Sequence, residues 1–276
     1  MDISMEMPAK LTLCIGQILI SVISLILLSI GVHLLRHCSS AYSKHQKLYL
    51  TQLSLIEIFY IVVRNDIIPV LEAVAVIPEF IIYTRLAVEC LIVAPWSLIM
   101  TLLTLDRLAE VALNIKYQQF ITTKRTYIIT SLCWMIGALL FVIMSVVRWR
   151  FHVNSTEIMH LYVLQILFIK LIVISIGTYT YIFLMIRKVK RQSCRGESSL
   201  KHVFVPLWII LTFLVFFELP NLILLFYIHI KHQMHDVMYF IAMVLIDFGC
   251  VLDMLIYVLM SKPLRDNFLL LIGFKR

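Results

Sequence analysis

The charged side chains with the greatest chemical potential in this sequence stand inside, or at the ends of, long apolar stretches. Asp106 and Arg107 close an apolar run that begins near Leu86. A charge pair there must lie at a water interface, because ionised groups at bilayer depth are costly and are kept for a purpose. Glu57 and Asp253 lie within other apolar stretches, as do Glu89, Lys170, Glu218 and Asp247. Glu89 precedes Arg107 by eighteen residues, about 27 Å along a helix rising ~1.5 Å per residue. Glu89, Lys170, Glu218, Asp247 and, nearer the rim, Arg85 therefore belong to the half of the protein opposite Arg107. Side chains so placed can take a charged ligand, or they can neutralise one another as an internal ion network. His152, His160, His229, His232 and His235 gather towards the same end, where imidazoles can sense protons or bind zinc.

Other chemistries find no support. None of the six cysteines has metal-ligand spacing, no glycine-rich loop could cradle a phosphate, and no hydrolytic triad can be assembled. No enzyme, cofactor or resident metal is expected.

The elements that must position these groups follow from composition. Hydrophobic residues make up 62% of the 276 and charged ones 14%, more apolar matter than one water-soluble core could hide. Seven runs are long enough to cross about 30 Å of hydrocarbon: Leu11 to Leu35, Leu48 to about Leu71, about Phe80 to Leu105, Tyr127 to Val147, Leu161 to Ile186, Val203 to Ile230 and Val237 to Met260. They lack the alternation of barrel strands, so helices are expected. The fold class is all-α, a seven-transmembrane helix bundle.

Basic residues orient the bundle. Arg36, Lys44 and Lys47 follow the first run; Arg107, Lys116, Lys124 and Arg125 the third; Arg187, Lys188, Lys190, Arg191, Arg195 and Lys201 the fifth; Lys262, Arg265, Lys275 and Arg276 the seventh. By the positive-inside rule these segments are cytoplasmic and the amino terminus is outside. The net charge of +8 then reflects topology and attraction to anionic membrane lipid, and no nucleic-acid partner is expected. The sequon Asn154-Ser155-Thr156 falls in a loop that this topology places outside, which makes Asn154 a candidate glycosylation site. The first run follows an acidic start, Asp2 and Glu6, and exceeds a signal-peptide core, so it reads as a retained helix. Cys90, Cys133 and Cys250 are expected to pack as small apolar residues. The expected organisation is a short extracellular segment 1–10, a membrane domain 11–260, and a cytoplasmic amphipathic helix with tail 261–276.

Several motifs stand in a specific order on this frame. The second run has Leu53-Ser54-Leu55-Ile56-Glu57, the third ends in Asp106-Arg107, the fourth has Trp134, and the fifth has Tyr179 before a basic end. The sixth holds Pro220, the seventh ends in Asp253-Met254-Leu255-Ile256-Tyr257, and Lys262-Pro263-Leu264-Arg265-Asp266-Asn267-Phe268 follows. In these motifs, across nearly its whole length, the chain resembles the rhodopsin-like, class A G-protein-coupled receptors. The departures from that family are Leu108 for the tyrosine of Asp-Arg-Tyr, Glu57 for the sodium-site aspartate, Glu218 for the tryptophan of helix six, and no proline in Asp253-Met254-Leu255-Ile256-Tyr257. Helix one lacks its asparagine, helix five its proline, and Ile82 stands where the helix-three cysteine is usual. The absent disulfide and helix-five proline are similar to the melanocortin, cannabinoid and lysophospholipid receptor group.

The resemblance implies a plasma-membrane, multi-pass receptor that binds an extracellular ligand and activates heterotrimeric G proteins. It implies a coupling switch of Asp106, Arg107, Tyr179, Tyr257 and Asp253. Arg107 would be held by Asp106 in one state and released towards a cytoplasmic partner in another. It sets Glu57 and Asp253 face to face in a polar core, where either a cation such as sodium bridges them or one holds a proton. It makes Glu89, Lys170, Glu218 and Asp247 the candidate ligand pocket, and Asp247 in the retinal-lysine position argues against an opsin. Some family members restrain the arginine with a second acid on helix six, but that position falls at about Leu200, with Glu197 almost one turn away. Asp106 is then the one certain partner, and ligand-independent signalling is expected. The alternative from another class is a transporter or proton-conducting protein using Glu57, Glu89, Asp247 and Asp253 as a relay.

Overall fold

The structure, a computed structural model, describes residues 7–37, 42–68, 83–84, 86–113, 117, 121–151, 169–185, 205–213, 215–216, 219–220, 223, 236–271 and 273. Among the described residues every regular element is helical. In chain order these are α1 (Met7–His37), α2 (Lys44–Tyr60), α3 (Ala94–Leu113), α4 (Thr123–Phe151), α5 (Ile169–Met185), α6 (Val205–Phe213), α7 (Asp236–Met260) and α8 (Lys262–Leu271). Ile15–His37, Leu86–Glu110 and Thr123–Arg150 are long and apolar enough to cross a membrane.

Local chemistry sets several boundaries. Ser43 caps α2 with a reciprocal box, its hydroxyl accepting from the Gln46 N–H at 3.3 Å while its own N–H donates to the Gln46 side chain at 3.3 Å. Beyond Tyr60 the helix widens into a π-turn over Ile61–Ile67. A second π-segment, Glu89–Val93, leads into α3. Pro95 explains the second: it lacks an N–H, and its ring displaces the carbonyl one turn back, so the helix widens there. Inside the apolar helices, hydroxyls bond back to their own helix, Thr101 to the Ser97 carbonyl at 2.8 Å, Thr104 to Met100 at 2.9 Å and Ser175 to Leu171 at 2.6 Å. Such back-bonding satisfies a polar group without a partner helix.

Packing runs α1 on α2 and α7, α7 on α6, α2 and α3 against each other and on α4, and α8 beneath α1 and α7. Two glycines permit the closest approaches. A Cβ on Gly31 would meet the Met254 side chain and lie 2.7 Å from the Tyr257 hydroxyl, and one on Gly137 would lie 2.6 Å from the Cys90 carbonyl oxygen. The core joins Leu28, Leu35, Leu50, Ile56, Ile99, Met100, Met254 and Tyr257. Cys90, Cys133 and Cys250 are buried free thiols, as small apolar residues should be. On the outer face, Leu132, Met135, Leu139, Val142 and Val146 of α4 are exposed. An apolar face of that extent suits hydrocarbon rather than water. In α8, Leu264 and Phe268 are buried while Lys262 and Asn267 face out, which makes it an amphipathic helix.

Candidate functional site

One face of α3 carries the site. Trp96, Met100, Leu103 and Arg107 recur at helical spacing and all are buried. The expectation that Asp106-Arg107 ends the third helix is corrected here: α3 continues to Leu113. The apolar run stops at Leu105, yet the hydrogen-bonded helix does not. The extra turn puts Glu110 on the face of Arg107.

Arg107 is therefore held twice. One terminal nitrogen donates to Asp106 Oδ2 at 2.6 Å and the other to Glu110 Oε2 at 2.6 Å. The expectation of Asp106 as its one certain partner is corrected by that second contact. Charge-assisted bonds of this length are the strong kind. Asp106 and Arg107 are buried, whereas the Glu110 side chain is 41% exposed. Each acid is supported from elsewhere in the chain: the Tyr117 hydroxyl donates to Asp106 Oδ1 at 2.6 Å, and the Gln46 amide of α2 donates to Glu110 Oε2 at 3.4 Å. Burial first, and then its bond to Asp106, push the Tyr117 phenol well above its ordinary range, so it stays a donor. With both acids ionised, the group of three carries one net negative charge.

Tyr179 is buried beside Ile182, with Leu108 of α3 and Leu207 of α6 packed against the pair. It lies within electrostatic range of Arg107. Tyr257 is engaged with other partners: its hydroxyl meets the Ser54 hydroxyl at 2.8 Å, and its carbonyl accepts from the Tyr42 hydroxyl at 2.7 Å.

Glu57 and Asp253 do come together. Both are buried, line the same cavity and lie within electrostatic range of each other, so two ionised carboxylates there would oppose each other. The Trp96 indole donates to Glu57 Oε1 at 3.4 Å. Asp253 Oδ1 is buried without a partner among the described residues. Beside the pair lies a cavity of about 30 Å³ lined by Tyr60, Val93, Trp96, Phe216 and Cys250 among others, enough for about two waters or a small ion at the ~10–15 Å³ that one water centre needs.

The outer set is divided. Asp247 is fully buried and accepts from Gln17 and Ser21 of α1, both at 3.0 Å. Lys170 sits on α5 within electrostatic range of Cys133 of α4. Glu218, Arg85, Asn154, Leu200, Glu197 and the histidines 152, 160, 229, 232 and 235 lie outside the described residues, as does the side chain of Glu89.

Sequence reasoning missed Glu110, Gln46, Tyr117, Trp96, Gln17 and Ser21. A signal was present for four of these. Glu110 and Trp96 stand at helical spacing from Arg107, and Gln17 and Ser21 are an i, i+4 polar pair in an otherwise apolar run. Among the described residues no group of three or more His, Cys, Asp or Glu side chains could hold a metal ion. No protein-family model matches the chain, and no curated protein matches it.

Proposed function

We propose that the chain is a seven-helix receptor of the rhodopsin-like, class A type, which passes the binding of an extracellular ligand to heterotrimeric G proteins at its cytoplasmic face. The observation that carries this reading is the buried Arg107, held by acids at the polar end of an apolar helix and within range of Tyr179 on α5. A permanently charged fork restrained by breakable partners is a two-state element, which transmission between membrane faces requires. Multi-pass topology with the amino terminus outside, and residence in the plasma membrane, belong to the same proposal and rest on the distribution of Lys and Arg.

The buried Glu57 and Asp253 carboxyls beside a small cavity favour a second reading, a proton-conducting membrane protein. Guanine-nucleotide exchange on a panel of purified G proteins, with the protein in lipid nanodiscs, separates the two. Exchange that is lost in Arg107→Gln supports the receptor. Proton flux through liposomes without any exchange replaces it with the conductor.

A further inference from the structure

On the receptor reading, we infer that Glu110, backed by Gln46, is a positioning residue that holds Arg107 at rest, so that the restraint on the switch is set between α2 and α3.

The geometry is particular to this chain. Arg107 spends both terminal nitrogens on acids of its own helix, one residue and three residues away. A clamp confined to one helix would survive any rigid movement of that helix. What gives it a resting position is the attachment of its outer member to a different helix, through Gln46 Nε2 to Glu110 Oε2 at 3.4 Å. Gln46 is itself fixed, since it is buried and its side-chain oxygen accepts from the Ser43 N–H in the α2 cap. Its amide thus spans from the start of α2 to the end of α3.

The two acids play different parts. Asp106 is buried and bound by Tyr117, so it is committed whatever Arg107 does. Glu110 is the accessible member, and a protein docking on this face can reach it without first opening the core. Arg107 Nε is buried and finds no acceptor among the described residues, so the guanidinium has an unmet donor for a new partner once Glu110 lets go. The clamp also carries one net negative charge. A partner that brings a cation to Glu110 is favoured electrostatically, and one that brings an acid is opposed.

The test measures ligand-independent nucleotide exchange by the full chain in nanodiscs. Glu110→Gln removes the charge at constant size and should raise basal exchange about fivefold, the shift expected when one half-exposed contact to a cation is lost. Glu110→Asp keeps the charge and should restore most of the restraint. Gln46→Leu, which leaves Arg107 and both acids intact, should raise exchange by a smaller factor. General damage would lower exchange in all three. Unchanged or reduced exchange in Glu110→Gln and Gln46→Leu, with parent exchange still abolished by Arg107→Gln, overturns the inference while leaving the receptor reading standing. If the parent promotes no exchange on any G protein, the receptor reading falls. The clamp is then judged by amide hydrogen exchange over residues 104–113. Faster exchange by about fivefold in Glu110→Gln supports it, and unchanged protection refutes it.

Discussion

Glu57→Ala and Glu57→Gln should part company in stability, and the gap between them measures what the buried carboxyl pair does. Glu57 is buried, accepts from the Trp96 indole and lines the same cavity as Asp253. Alanine leaves Asp253 without that partner and takes an acceptor from Trp96, beside a cavity already about 30 Å³ in volume. Leaving a buried polar group unsatisfied costs roughly 1–3 kcal/mol, and at about 2–4 °C per kcal/mol for a chain of this length the unfolding midpoint should fall by about 6 °C. Glutamine keeps the oxygen for Trp96 and offers an N–H to Asp253, so its midpoint should lie within about 3 °C of the parent.

The assay is thermal unfolding of the purified protein in detergent, followed by tryptophan fluorescence and run in sodium and in choline. Sodium separates a bridging cation from a shared proton. A bound ion at a hundred times its dissociation constant adds about 2.7 kcal/mol, which would raise the parent midpoint in sodium by about 5–10 °C. A pair that holds a shared proton instead predicts no sodium effect. Equal midpoints for the two variants would refute the stabilising role of the pair, and a sodium-dependent rise in the parent that is lost in Glu57→Gln would refute the shared proton in favour of an ion.

Arg107→Ala should abolish nucleotide exchange and also lower the unfolding midpoint more than Glu110→Gln does, because it leaves Asp106 buried and Glu110 without their cation; a midpoint at the parental value would contradict the burial of the cluster. Gly31→Val drives a side chain into Met254 and the Tyr257 hydroxyl and should cost about 1–3 kcal/mol. Gly177→Ala meets nothing within 4 Å and should be neutral or slightly stabilising in the same melts, so equal losses would rule out the α1–α7 contact as the cause. Asn154→Gln should abolish a glycosidase-sensitive mass shift in protein from eukaryotic cells, and a parent without any such shift would count against an external loop after α4.

What the sequence made visible was what is expensive. Charges inside apolar runs cannot be there by default, and Asp106, Arg107, Glu57 and Asp253 stood out for that reason. Arg107 and Asp106 form an ion pair in the structure, and Glu57 and Asp253 line one cavity. The partners that escaped notice are cheap ones. Gln46, Tyr42 and Tyr117 are neutral donors in polar segments, where such residues normally face water, and only the tertiary fold turns them inward. Glu110 escaped for another reason, since the reading ended α3 where its hydrophobicity ended. A helix stops where its backbone hydrogen bonds stop being met, and α3 runs on to Leu113 through Leu108, Ala109, Glu110, Val111 and Ala112. Asp247 was seen without its partners, although buried Gln17, Ser21 and Ser24 mark the α1 face that receives it.

α2 explains how events at separated levels of the bundle can be linked. Gln46 binds Glu110 of α3, Gln52 accepts from the Trp134 indole of α4 at 3.3 Å, Ser54 meets Tyr257 of α7, and Glu57 meets both Trp96 and Asp253. One helix thus makes polar contacts with three others, and its two contacts with α7 lie about one turn apart. A displacement of α7 along or away from α2 must break the Ser54–Tyr257 hydrogen bond and shift Asp253 relative to Glu57, because a hydrogen bond tolerates a shift of only a fraction of an ångström. The Gln46–Glu110 contact on the α3 side need not break with it. On the receptor reading, the buried row Trp96, Met100 and Leu103 along α3 connects the polar core to Arg107, and Trp96→Phe, which removes only the indole donor, should weaken that coupling more than it weakens the fold. A variant that keeps the parent's ligand-induced exchange would place the connection elsewhere.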